Sequence, residues 1–255
     1  MLTRTLLDLS AAADAGLILV LVAGGVVKGA LGVGLPLVLV PLTAQFLPLP
    51  VAVALLTLPM VAANIRQTLE AGGALGAFRR LTPILGTLVL GIVIGAHLLI
   101  SINRRALDSI VGAAFVLLSA MLSFMPRLRI RRGTERWASP LIGLVAGLLG
   151  GMSAMFGPPL IAYQIGLGVD PDTFVKHMAI LALTASLALV LSLGGSGALT
   201  GPDLVVSAAA IIPIQLGMPL GRRLRGRVPP AWFRLAVLCT LAWAGLDMLH
   251  RALFR

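Results

Sequence analysis

The chain has 255 residues, of which 58% are apolar and 11% charged, and its mean hydropathy is +1.03. Soluble domains carry roughly a quarter charged residues, so this composition excludes an ordinary soluble protein and points to a polytopic helical membrane protein. The net charge of +11 invites a nucleic-acid partner, but the arginines gather between apolar spans, where membrane proteins place them, and no nucleic-acid partner is expected.

The apolar runs are continuous rather than alternating, which argues against a transmembrane barrel. Arg4, Asp8 and Asp14 flank the start without a small-residue cleavage motif, so 15–31 is expected as a retained span rather than a signal peptide. Further apolar segments follow at 36–46, 51–69, 81–100 and 106–125. A basic loop covers 127–136. The second half reads 139–155, 159–167, 173–193, 204–220 and 231–249. Crossing a bilayer takes about 20 helical residues, so 36–46 and 159–167 are expected as half-helices or re-entrant pieces.

Each short piece follows a cluster of glycine and proline. The first cluster is Gly29-Ala30-Leu31-Gly32-Val33-Gly34-Leu35-Pro36. The second is Gly147-Leu148-Leu149-Gly150-Gly151, followed by Phe156-Gly157-Pro158-Pro159. These clusters are expected to interrupt the helices that contain them, with the freed backbone groups facing protein or a water-filled cavity. The breaks come in the same order in both halves, and Pro50 and Pro171 precede the long helices that follow. The expected fold is an all-α membrane helical bundle of about 8–10 segments in two inverted-looking repeats, residues 1–126 and 139–255, joined by a basic cytoplasmic linker at 127–138. Three arginine clusters support that arrangement: Arg66/Arg79/Arg80, Arg127 to Arg136, and Arg222 to Arg227. They share one face if the halves have odd numbers of crossings, which leaves both termini outside.

Paired Gly/Pro-interrupted membrane segments point to a transporter's binding site. A helix that starts inside the membrane directs unpaired N–H groups and partial positive charge at its ligand, which favours an anion. Lys28 lies about fourteen residues into the first span, and a cation at that depth costs at least ~2.5–3.5 kcal/mol; a bound anion would offset it, and snorkelling to the interface is the competing reading. Gly34, Pro36, Gly151, Gly157 and Pro158 sit next to the breaks and are read as site architecture. Gly29, Gly32, Gly147 and Gly150 fit helix packing as well as ligand approach. Ser153, Asn64 and Tyr163 are candidate hydrogen-bond donors to an oxyanion. Lys176 stands near a helix start, and His177 beside it is the candidate proton carrier. The candidate substrate-binding set is therefore Lys28, Gly32, Gly34, Pro36, Asn64, Gly151, Ser153, Gly157, Pro158, Tyr163 and Lys176.

Other chemistries lack residues. Cys239 is the only cysteine, so neither an intrachain disulfide nor a thiolate metal cluster is expected. There is no HExxH, no P-loop lysine motif and no serine–histidine–acid set, and neither enzymatic activity nor a cofactor or metal is expected. The nine acidic residues avoid mid-span positions, which disfavours a metal-cation transporter.

The run GALGVGLPLVLVPLTAQFLPLPVAVALLTLPM resembles the first-half signature of the sulfite exporter TauE/SafE family. The run GLVAGLLGGMSAMFGPPLIAYQIGLGVDPDTFVKHMAI resembles the second, with its Gly-Pro-Pro, the aromatic Tyr163, Pro171 and a basic residue after Phe174. The resemblance implies a two-repeat helical membrane bundle that moves small sulfur-containing anions such as sulfite, thiosulfate and sulfonates. An integral protein of a bacterial cytoplasmic membrane is the expected setting, with the anion and the bilayer as partners; a homo-oligomer stays open.

Overall fold

A computed structural model describes residues 11–31, 35–72, 74–124, 133–224 and 230–254. Among them the chain is helical with no strand. The first half contains α1 (Ala11–Leu31), α2 (Leu35–Thr43), α3 (Leu49–Ala71), α4 (Ala74–Ser101) and α5 (Arg104–Phe124). The second contains α6 (Glu135–Ser153), α7 (Gly157–Leu167), α8 (Pro171–Gly195), α9 (Gly201–Ala209), α10 (Ile211–Leu224) and α11 (Pro230–Phe254). Residues 125–132 and 225–229, which hold much of the two later arginine clusters, lie outside the described residues.

Four stretches are long and apolar enough to cross a membrane: Leu49–Ala71, Arg80–Ser101, Pro171–Gly195 and Gly201–Leu224, the last formed by α9 and α10 together. Local chemistry sets their starts. Proline occupies the first turn of α3, α7, α8 and α9, where its missing N–H has no helical acceptor to lose. Asp170 caps α8 by accepting from the Thr173 amide at 2.9 Å. Thr200 and Asp203 form a reciprocal capping box on α9, so orphan donors at both starts are satisfied.

The expected short pieces are present as α2, nine residues, and α7, eleven residues. The glycines before them do not interrupt their helices as expected, and Gly29 and Gly147 take the packing role that the sequence also allowed. α1 continues through Gly29 to Leu31, and α6 continues through Gly147, Gly150 and Gly151 to Ser153. The second break falls at Ala154, which takes a left-handed conformation at φ 58° and donates its N–H to the Gly150 carbonyl. Such a conformation costs a residue with a Cβ roughly 1–2 kcal/mol.

The glycines instead bring helix backbones together. A Cβ at Gly147 would fall on the Leu88 carbonyl oxygen, and one at Gly151 would lie 2.6 Å from the Ala96 nitrogen. Gly91 answers from α4, where a Cβ would lie 2.8 Å from the Leu148 nitrogen. The same arrangement recurs between α1 and α10. Gly25 and Gly29 meet the carbonyls of Ile214 and Met218, while Gly217 and Gly221 meet those of Val22 and Val26. The register is preserved: Gly25 corresponds to Gly143 and Gly29 to Gly147, an offset of 118 in each case. A third contact is reciprocal, with Gly112 of α5 against the Gly245 carbonyl of α11 and Gly245 against that of Gly112. Lipid tails are as apolar as leucine, so close van der Waals approach of this kind is what holds membrane helices together. All three contacts join one half of the chain to the other.

Backbone groups freed inside the bundle are also met across it. Pro59 lies inside α3 and removes the N–H that would bond the Leu55 carbonyl. Ser207 of α9 donates to that carbonyl at 2.9 Å and accepts from the Leu58 amide at 3.2 Å. Arg251 of α11 reaches the far end of α2, donating to the Ala44 carbonyl and, at 2.7 Å, to Gln45 Oε1. Asp247 holds the same guanidinium at 2.6 Å.

Two stability predictions follow from these contacts. Gly147→Leu is expected to lower the stability of the detergent-purified protein by roughly 2–3 kcal/mol. Gly86→Ala, on an α4 face with open space around it, is expected to leave stability unchanged or raise it by about 0.5–1 kcal/mol; thermal unfolding compares the two. Ser207→Ala, read by the same assay, should cost about 1–2 kcal/mol by orphaning the Leu55 carbonyl.

Candidate functional site

The first turns of α2 and α7 face a common cavity of about 40 Å³. A water needs roughly 10–15 Å³ of such space, so the cavity has room for two or three waters or one small ion. α2 contributes Leu35, Pro36 and Leu37, and the α6–α7 turn contributes Met155 and Phe156. Gly157 and Ile161 line it from α7, Met60, Asn64 and Gln67 from α3, and Met178 and Ala182 from α8. Lys28 enters from the last turn of α1.

Lys28 is 5% exposed, and its Nζ donates to Gln67 Oε1 at 2.7 Å. Its partner in this bond is a neutral amide. The last turn of a helix is also where a cation complements the dipole, so Lys28 both completes α1 and charges the cavity. Asn64 holds α3 to α8: its Nδ2 donates to the Ala182 carbonyl at 3.1 Å and to Ser186 Oγ at 3.3 Å. Thr68, one turn on, donates to the Asn64 carbonyl at 2.8 Å and to the Ala179 carbonyl at 3.3 Å.

The two half-helix starts add partial positive charge, about half an elementary charge at each N-terminus. The first four N–H groups of a helix lack intrahelical acceptors. Pro36 removes one such donor from α2, and Pro158 and Pro159 remove two from α7. Gly157 has open space where a Cβ would stand, so ligand access at α7 does not depend on that residue being glycine.

Of the candidates named from sequence, Lys28, Pro36, Asn64 and Gly157 meet at the cavity. Gly32 and Gly34 lie outside the described residues. Gly151 sits in the α4–α6 contact, and Pro158 is buried in the first turn of α7 without lining the cavity. Ser153 Oγ donates to the Leu149 carbonyl of its own helix at 2.7 Å. Lys176 is half-buried on α8 outside the lining. Tyr163 and His177 belong to a second polar group whose members do not line the cavity. Tyr163 stands beside Ser139, His177 Nδ1 lies 3.0 Å from Gln164 Oε1, and Arg80 and Glu135 pair at 3.8 Å. Gln164 Nε2 is buried without a partner among the described residues.

Sequence reasoning missed Gln67 and the sulfur lining of Met60, Met155 and Met178. Gln67 stands three residues after Asn64 on the same helix, a spacing that shares a face, and that signal would have found it. Nothing in the spacing of the methionines marks them.

The family model described as sulfite exporter TauE/SafE matches residues 17–248. The chain belongs to this family. Comparison with curated proteins and with solved structures gave no significant match. TauE/SafE proteins are membrane transporters, which agrees with an integral membrane protein that moves a small sulfur-containing anion. Among the described residues no cluster of histidine, cysteine or acidic groups is placed to hold a metal.

The geometry separates Asn64 from Ser153. Asn64→Leu breaks two hydrogen bonds between α3 and α8 and is expected to lower thermal stability in detergent by about 1 kcal/mol. Ser153→Ala removes only a bond within α6, so anion affinity, measured by titration of the purified protein, should stay within about twofold of wild type.

Proposed function

We propose that this TauE/SafE protein is a secondary transporter that carries sulfite, thiosulfate or a sulfonate across a bacterial cytoplasmic membrane by alternating access. The observation that carries this reading is the meeting of a buried ammonium, Lys28, with the starts of two half-helices on one small cavity. That combination favours an anion without requiring a metal. The two halves insert in opposite orientations, so α2 and α7 approach the ligand from opposite faces. Lys28 supplies the charge, Pro36 and Gly157 stand at the cavity on the two half-helix starts, and Pro158 sets the first turn of α7; Gly32 and Gly34 stay candidates outside the described residues. Gly151 holds the bundle that moves. Asn64 positions α3 against α8, Tyr163 and Lys176 support the site from outside its lining, and Ser153 stays bonded within α6. His177, bonded to Gln164, carries the coupling proton.

Uptake of labelled sulfite, thiosulfate, sulfate and a sulfonate into proteoliposomes, with and without a pH gradient, tests this reading. Saturable, gradient-sensitive uptake is expected, and Lys28→Ala should reduce it at least ~tenfold, equivalent to about 1.4 kcal/mol. Wild-type rates in Lys28→Ala would refute the site. Steady ionic conductance would replace the transporter with an anion channel.

A further inference from the structure

The charges around the cavity count to one. Lys28 is the only charged side chain lining it among the described residues. On α3 the charges flanking Gln67 are Arg66 and Glu70, which pair with each other at 2.8 Å, and Glu70 also acts on Lys28 through space, so the three side chains together carry one net positive charge. Beyond the Gln67 Nε2 amide, dipolar donors are few among the described residues. Both amide contacts of Asn64 go to α8, and three prolines remove N–H groups from the two half-helix starts. Much of the remaining wall is thioether and hydrocarbon, with Met60, Met155 and Met178 facing the same space as Leu35 and Ile161.

We propose that this cavity selects singly charged anions that carry an apolar or protonated face, hydrogen sulfite or an organosulfonate, over dianions such as sulfate, sulfite and thiosulfate. The inference rests on the anion-transport reading above and narrows its substrate class. Hydration free energy rises with the square of charge, so a dianion sheds about four times as much as a monoanion of equal size. One ammonium neutralises one unit, and the second would stand against sulfur and carbon. A methyl group or a protonated oxygen suits that wall. Gln67 is the residue that holds the count at one, because it places a neutral amide where a second cation would reach the ligand.

Calorimetric titration of purified, folded protein with methanesulfonate and with sulfate, at equal ionic strength, tests the proposal. Methanesulfonate should bind at least ~10-fold more tightly. Gln67→Lys should shift the ratio of the two affinities toward sulfate by at least ~10-fold, a gain that misfolding does not produce. The wild-type ratio decides the matter even if the variant fails to fold. Equal or tighter binding of sulfate by wild type overturns charge selection and leaves anion transport standing. Binding of neither anion by folded protein overturns both.

Discussion

Close approach of helix backbones through glycine is the constraint on which the rest of the structure depends. A bilayer gives apolar helices no hydrophobic reason to leave lipid for one another. The attraction comes from contact, and contact at backbone distance requires that no Cβ intervene. Gly147 and Gly151 on α6 give that access to α4, and Gly25 and Gly29 on α1 give it to α10. These pairs position the ends of α1 and α6, and those ends deliver Lys28 and the Met155–Phe156 turn to the cavity. The site is thus placed by the same contacts that assemble the bundle.

A second constraint is that interrupted backbone inside an apolar bundle must find partners within the protein. Three interruptions among the described residues have distinct solutions. Ser207 reaches across from α9 to the carbonyl that Pro59 leaves behind. Arg251 covers carbonyl oxygen at the end of α2. The α6–α7 turn satisfies the Ala154 amide internally, at the expense of a left-handed residue that is not glycine. Polar side chains in this protein mostly serve backbone, which leaves few donors over for a ligand and makes the one cation at the cavity count for more.

The elements were legible in the sequence because their determinants are local. Apolar run length separated the long helices from α2 and α7, and proline marked where helices start. The two glycine clusters were harder. A glycine that ends a helix and a glycine that lets another helix approach look alike in sequence, since both are defined by a missing Cβ. What distinguishes them is the partner, and α4 and α10 lie far along the chain from the clusters they meet. Ser153 shows the same limit: its depth suggested a ligand donor, but a serine in a helix readily bonds the carbonyl four residues back. Lys28 and Asn64 were found because a charge or an amide at membrane depth demands a partner whatever surrounds it. Gln67 satisfies that demand for Lys28; its spacing put it on the same face as Asn64, but only the facing helix showed which group it meets.

The crossing of contacts between the halves has a consequence for how the protein is made. α1 packs on α10, and about 190 residues separate Gly25 from Ile214. At about 5–20 residues per second of synthesis, α1 waits roughly 10–40 s for that surface to emerge. During that interval its glycine face is open to lipid or to any other small-residue helix in the membrane. α4 waits far less, since α6 follows it closely in the chain. Assembly therefore has a built-in order, with the α4–α6 pair formed early and the bundle complete only when α10 and then α11 arrive. A chain that stops before α10 leaves the glycine face of α1 without the backbone it packs against.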